Sequence, residues 1–255
     1  MNILQHVSKL TLRERCAQMI FPAFRFGAPD YEAAEELVRK QGVGGLVLYG
    51  GTVFDVPPFV NWGQKVSKIP LLVAADYESG AGMHVSGATV FPTAMAVGAA
   101  GSDDLALSRG RQTALEARAL GVRWVLAPVV DLNTNPRNPV INVRAFGDDP
   151  AAAVRLARAT LQGFRTAKVM GCLKHFPGHG DVAIDSHLDL PRVERTDEAA
   201  LRPYRELAGE VEAIMAAHLV AKDLDEESPV SLSRAAILGF LRGELRFDGL
   251  VATDA

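Results

Sequence analysis

The chain has 255 residues, of which 48% are hydrophobic and 22% charged, with a formal net charge of −3. That composition is too apolar for a disordered chain, and the length suits one large domain or two small ones. The slightly acidic balance, with Lys and Arg scattered, speaks against a nucleic-acid partner, and no apolar run reaches the roughly 18 residues of a membrane span.

The segment Met1 to Leu12 has no basic stretch followed by an apolar core. No export signal is read there, and the expected compartment is the cytoplasm. Beyond it, short apolar runs alternate with longer helix-like stretches. The runs Gln18–Phe24, Val43–Tyr49, Leu71–Asp76, Val122–Leu132, Val169–Phe176, Ala213–His218 and Gly249–Asp254 are continuous rather than alternating, as strands buried on both faces are. Between them, Asp30–Gln41, Ser102–Leu120, Pro150–Lys168, Glu198–Glu210 and Ser233–Leu245 have helical periodicity and are rich in Ala, Leu, Arg and Glu. Asp30 and Ser233 are suited to cap, and Pro150 to sit in a first turn. The two cysteines, Cys16 and Cys172, lie in apolar segments and read as small buried hydrophobes without a disulfide framework.

Repeated strand–helix units predict a parallel α/β sheet. Polar residues recur at the strand C-terminal ends: Asp76 and Glu78, Asp131 and Asn133, Lys174 and His175, His218, and Asp254. In a closed barrel all those ends converge on one face, whereas an open sheet uses only those near its switch point. The expectation is a single TIM-type (β/α) barrel over residues 1–255. Seven strands are counted where a full barrel has eight, and no helix follows the last. The expected form therefore lacks its final strand and helix, as a C-terminally truncated version of a longer chain would.

The segment Lys174 to His187 (Lys-His-Phe-Pro-Gly-His-Gly-Asp-Val-Ala-Ile-Asp-Ser-His) follows an apolar strand, and Pro177, Gly178 and Gly180 make it a loop. Such a loop has three readings: a metal site, an acid/base centre, or a polar loop held by its own hydrogen bonds. His175 and His179 have helical spacing, but the Pro and Gly between them forbid a helix and no His-Glu-x-x-His occurs, so no metal is expected. The pairs Gly80/Gly82 and Gly178/Gly180 lack the third glycine of a dinucleotide fingerprint, and no cofactor is expected either. Asp185 and His187 stand apart, because a carboxylate two residues away can orient an imidazole and keep it protonatable near neutral pH.

Lys174 to His187, continuing Leu-Asp-Leu-Pro to Pro191, resembles the signature of glycoside hydrolase family 3 in its β-N-acetylglucosaminidase branch. Further matches run in the family's order: Leu72 to Glu78, Gly87 to Pro92, Ala127 to Asp131, Asn142 to Pro150, and Phe247 to Asp254. The resemblance implies Asp254 as nucleophile, His187 as general acid/base with Asp185 as its dyad partner, and Asp76, Arg144, Lys174 and His175 as groups that grip sugar hydroxyls. From the residues alone, Asp76 and Arg144 could equally form a structural salt bridge. The implied activity is two-step retaining hydrolysis of terminal β-linked N-acetylhexosamine from small amino-sugar glycosides, cell-wall-derived ones among them. The Gly-rich setting of His187 predicts loop closure before it reaches the glycosidic oxygen. A phosphorylase sharing the covalent intermediate and an inactive sugar-binding remnant are the competing readings. The chain departs from the family after Glu78, where Gly-Gly-Arg is usual and Ser-Gly-Ala-Gly-Met-His stands here, ending at His84.

Overall fold

The computed structural model describes residues 3–27, 31–182 and 189–254. Two short helices come first, α1 (Ile3–Val7) and α2 (Leu12–Gln18). Thr11 Oγ1 accepts the Glu14 backbone N–H while the Glu14 carboxylate accepts the Thr11 N–H, a capping box that starts α2. This corrects the expected strand Gln18–Phe24. The chain is helical to Gln18, and the strand β1 is only Ala23–Arg25. Cys16, expected inside, is exposed on α2, whereas Cys172 is buried.

The units that follow are β2 (Gly45–Tyr49), β3 (Leu72–Ala75), β4 (Trp124–Val125), β5 (Leu173–Phe176), β6 (Arg192–Val193), β7 (Ala213–Ala216), β8 (Val220–Ala221) and β9 (Leu250–Thr253). Helices α3 (Tyr31–Glu35), α4 (Val56–Val66), α5 (Ala94–Ala100), α6 (Asp103–Ala119), α7 (Pro150–Thr166) and α8 (Glu198–Leu207) lie between them, with π-helical turns over Glu36–Gln41 and Ala235–Glu244. The helical stretches read from periodicity are present. The expected Ser233 cap holds, its hydroxyl accepting the Ala236 N–H, and Asp149 caps α7 just before Pro150. The expected Asp30 cap lies outside the described residues. Helices α4 and α5 were not expected, since Pro57 and Pro58 in the first turn disguise the former. The run Val122–Leu132 forms a ladder only at Trp124–Val125 and meets its neighbour again at the isolated bridge Val129↔Lys174, beyond Pro128, which offers no N–H.

All strand pairs are parallel, in the orders β1-β2-β3-β4, β5-β7-β9 and, off the barrel wall, β6-β8. Bridges Trp124↔Met170 and Val129↔Lys174 join the first two groups. The wall therefore runs in chain order as seven parallel staves with helices outside, the α/β barrel that the alternating pattern predicts.

The buried apolar side chains fall into two main layers and a small third cluster of Val129, Ile141 and Ala145. The larger fills the space between strands and helices and includes Leu46, Leu48, Val73, Ala75, Leu156, Phe164 and Leu173. The smaller is the barrel lumen. Ala74, Trp124, Leu126, Cys172, Ala213 and Met215, with Val47, Leu72 and Ala252 against them, meet there from six staves. Helices α6 and α7 press together where a Cβ on Gly110 would lie 2.5 Å from the Thr160 carbonyl and one on Gly163 2.4 Å from that of Leu107, so neither position tolerates a side chain.

Candidate active site

Successive side chains of a strand point to opposite faces, so the lumen parity continued by two residues reaches the barrel mouth. Leu72 and Ala74 lead to Asp76, Val47 to Tyr49, Cys172 to Lys174, and Ala252 to Asp254. The four polar side chains form a layer directly above the apolar plug.

Lys174 is its hub. Its Nζ lies 2.6 Å from Asp76 Oδ1 and 2.6 Å from Glu78 Oε1, with only 2% of the side chain exposed. Tyr49 donates its hydroxyl to Asp76 Oδ2 at 2.8 Å. Arg144, on a 3₁₀ turn over Asn142–Arg144, donates two hydrogen bonds to Glu78, from Nε at 2.9 Å and Nη2 at 2.8 Å, the bidentate geometry in which guanidinium binds carboxylate best. That turn is pinned by Asn138, whose side-chain oxygen accepts the Val140 and Ile141 N–H groups. Burial pushes the Asp76 and Glu78 pKa values up, but Lys174, joined at Glu78 by Arg144, outweighs it and holds both below the usual carboxylate range. Burial acts oppositely on Lys174, and the two carboxylates still raise its pKa above the ordinary value. Asp76, Glu78, Lys174 and Arg144 are ionised at neutral pH, presenting fixed donors and acceptors to a polar ligand.

A second cluster is organised by Asp131, which is fully buried. Its Oδ1 accepts the His179 N–H at 2.7 Å, and its Oδ2 accepts the His175 N–H at 3.1 Å and meets His175 Nδ1 at 2.7 Å. One carboxylate thus fixes the loop backbone at two points and orients an imidazole. With Nδ1–H donating to Asp131, His175 Nε2 is an acceptor for Arg144 Nη2 at 3.3 Å, and the ring links the two clusters. A Cβ on Gly180 would sit 1.6 Å from the Leu132 carbonyl, so only glycine lets this loop fold back on Asp131. His179 is buried, and neither ring nitrogen has a hydrogen-bond partner among the described residues. Burial lowers its pKa, so its ring is neutral.

Asp254 closes the ring, with Oδ2 3.9 Å from His175 Nε2. Its backbone is held on both sides. The N–H donates to the Ala216 carbonyl at 3.0 Å, and its own carbonyl accepts from His218 Nε2 at 2.8 Å. Ser231 donates its hydroxyl to His218 Nδ1 at 2.6 Å, which sets that tautomer. Among the described residues no group of three His, Cys, Asp or Glu side chains is placed to hold a metal ion.

This is a barrel mouth lined by carboxylates and fixed cations. Residues 11–255 match the family model for the glycosyl hydrolase family 3 N-terminal domain. The chain belongs to glycoside hydrolase family 3. It is 33% identical over 250 residues to β-hexosaminidase A of Pseudoalteromonas piscicida, covering 86% of this chain and 42% of that protein. A solved family 3 β-N-acetylglucosaminidase from Paenibacillus sp. superposes with a TM-score of 0.90 at 37% identity, over 96% of this chain and 49% of that one. The β-glucoside phosphorylase BglX superposes with a TM-score of 0.92 at 30% identity, over 99% and 48%. The chain thus spans less than half the length of each of these three.

Within this family 3 barrel, five of the residues singled out from sequence come together at one face: Asp76, Arg144, Lys174, His175 and Asp254. Asp185 and His187 lie outside the described residues. The suggested Asp76–Arg144 salt bridge is not the pairing formed: Arg144 holds Glu78, and Asp76 is held by Lys174 and Tyr49. The sequence reading passed over Glu78, Asp131 and Tyr49 as site residues. Asp131 and Glu78 carried a signal, being polar at strand ends; Tyr49 carried none, since a strand-terminal tyrosine is ordinary. Arg109 of α6 was also missed. It is buried, donates to the Glu78 carbonyl, and has its pKa lowered to about 10 by burial, partly offset by Glu78. His84, in the stretch that departs from the family pattern, packs edge-on against the Tyr49 ring rather than on a carboxylate.

Proposed function

We propose that this chain is the catalytic barrel of a retaining glycoside hydrolase that removes terminal β-linked N-acetylglucosamine. The observation that carries the reading is the Asp254 carboxylate at the end of a lumen-facing strand, beside His175 and in one layer with the Lys174–Asp76–Glu78–Arg144 network. Ionised carboxylates and fixed cations of that kind suit sugar hydroxyls, which both donate and accept. In the proposed reaction Asp254 attacks the anomeric carbon as His187 protonates the departing oxygen, giving a glycosyl ester on Asp254. The same imidazole, oriented by Asp185, then takes a proton from water, which cleaves the ester and returns the carboxylate. The family 3 hexosaminidase and N-acetylglucosaminidase relatives support the choice of sugar.

A phosphorylase is the second reading, favoured by the superposition on a β-glucoside phosphorylase. There phosphate replaces water as acceptor, and a neutral imidazole acid/base would repel it less than a carboxylate would. Turnover of a chromogenic N-acetyl-β-glucosaminide, followed by proton NMR with and without phosphate, decides between them. The hydrolase reading expects free N-acetylglucosamine of β configuration first under both conditions. Accumulation of the sugar 1-phosphate when phosphate is present would replace it with the phosphorylase, and an α anomer as first product would overturn retention.

A further inference from the structure

We propose that a groove on the outside of the barrel, between the first turns of α3 and α4, is a second carbohydrate-binding site. Its occupant is a short β-linked N-acetylglucosamine oligosaccharide, and the choice of that sugar rests on the reading above. The groove has a volume of about 550 Å³, within the roughly 300–1,000 Å³ of small-ligand sites. Its walls carry three aromatic residues, Tyr31, Phe54 and Trp62, and three acidic ones, Glu32, Glu35 and Asp55, of which Glu35 is ion-paired with Arg39. Phe54 is 82% exposed and Tyr31 51%, and they line the same groove, so they form an exposed aromatic patch and not scattered single side chains. Beneath them Phe59 stacks on Phe24 at 4.1 Å between centroids and meets Trp62 at 5.6 Å, so the floor is a fixed aromatic cluster.

The mixture of groups selects the ligand class. Ring faces suit the C–H face of a pyranose, and carboxylates accept strong hydrogen bonds from sugar hydroxyl and amide N–H groups. Among the described residues no Lys or Arg lines the groove and Arg39 is neutralised by Glu35, so phosphorylated, sulfated or nucleic-acid ligands would meet a net like charge. An apolar helix of a protein partner would have to bury the Glu32 carboxylate unpaired, at a cost that sugar hydroxyls avoid. Glu32 forms no hydrogen bond or ion pair among the described residues. Asp55 is pre-set, its Oδ2 accepting both the Thr52 N–H and hydroxyl.

Position links the groove to the barrel mouth. Helices α3 and α4 follow β1 and β2, so their first turns lie at the strands' C-terminal end, the end that carries Asp76 and Lys174. The loop 50–55 that supplies Phe54 and Asp55 begins directly after Tyr49, whose hydroxyl holds Asp76. An oligosaccharide held here would be kept beside the site that trims its end.

The chain has two tryptophans, and Trp124 is buried in the lumen, so Trp62 can report on the groove. The test titrates N,N′,N″-triacetylchitotriose into Asp254→Asn protein, where turnover is blocked, and follows tryptophan emission. A saturable change is expected, lost in the added Trp62→Phe variant, with half-saturation raised tenfold or more by Phe54→Ala or Glu32→Gln. Phe54→Ala alone, in the chain with Asp254 intact, should leave turnover of the single-sugar chromogenic glycoside within twofold. Absence of any emission change at millimolar trisaccharide, a change that survives Trp62→Phe, or titrations unaltered by Phe54→Ala and Glu32→Gln would each overturn the groove. The two readings fail separately: a chain that titrates through Trp62 but never turns over glycoside loses the enzyme assignment and keeps the groove.

Discussion

Single residues divide the barrel mouth into two working parts, an ion-pair network on Lys174 and an imidazole held by Asp131. In the first, removing one partner of a buried pair leaves the other charge uncompensated, which costs about 3–5 kcal/mol. Glu78→Gln should therefore destabilise by about 3 kcal/mol at pH 7, because Lys174 and Arg144 both lose their shared carboxylate. The sign with pH follows from the depressed folded pKa. Stability from Glu78 is fully present above its unfolded value near pH 4 and is lost as pH falls toward the folded one. Melting curves should thus show the gap between Glu78→Gln and the unaltered chain narrowing steadily below about pH 4. A constant gap down to the acid transition would contradict the network. At this scale, legibility followed chain geometry. Asp76 and Asp254 could be read because each continues an apolar strand by one polar step, and Lys174 because it follows the apolar run Val169 to Leu173. The pairing of Arg144 with Glu78 rather than Asp76 could not, since it depends on a turn pinned by Asn138 far from either strand.

Among elements, β9 matters most because it delivers Asp254. Its pairing is with β7 alone among the described strands, from Ala213↔Leu250 to Ala216↔Thr253, and Leu250 is exposed on it. Strand β3, by contrast, pairs on both sides and is buried at Val73 to Ala75. Local opening follows such differences, so hydrogen exchange should be distinctly faster for Val251 and Ala252 amides than for Val73 and Ala74. Equal protection would mean that the far edge of β9 is covered. His218 and Ser231 oppose that opening locally through the Asp254 carbonyl. Element boundaries were legible where caps and periodicity agreed, as at Asp149–Pro150 and Ser233. They failed where local features beat hydropathy: the helix started by the Thr11–Glu14 capping box runs to Gln18 and leaves only Ala23–Arg25 as strand, and Pro128 interrupts another expected strand.

For the molecule as a whole, the strand–helix alternation and the polar strand ends together made the barrel readable before any coordinates. What they could not reveal is the plug. Trp124 occupies the lumen edge-on to Phe21, in one cluster with the small Ala74, Cys172, Ala213 and Ala252 and the larger Leu126 and Met215, a fit across staves that no local pattern encodes. Trp124→Ala should lower stability by about 3–5 kcal/mol, read as a shift in the denaturation midpoint. A shift under 1 kcal/mol would mean that the lumen collapses around the gap. The plug lies directly beneath Asp76, Lys174 and Asp254, the layer on which the proposed chemistry rests. The most direct test of that chemistry is the rate of chromogenic N-acetyl-β-glucosaminide cleavage by Asp254→Ala with and without azide, a small anion able to attack in place of the lost carboxylate. If Asp254 acts as the proposed nucleophile, its removal should cost at least about a thousandfold in rate, partly restored by azide with formation of an α-glycosyl azide. Activity within tenfold of the unaltered chain, or none of the azide product, would contradict the assignment of Asp254.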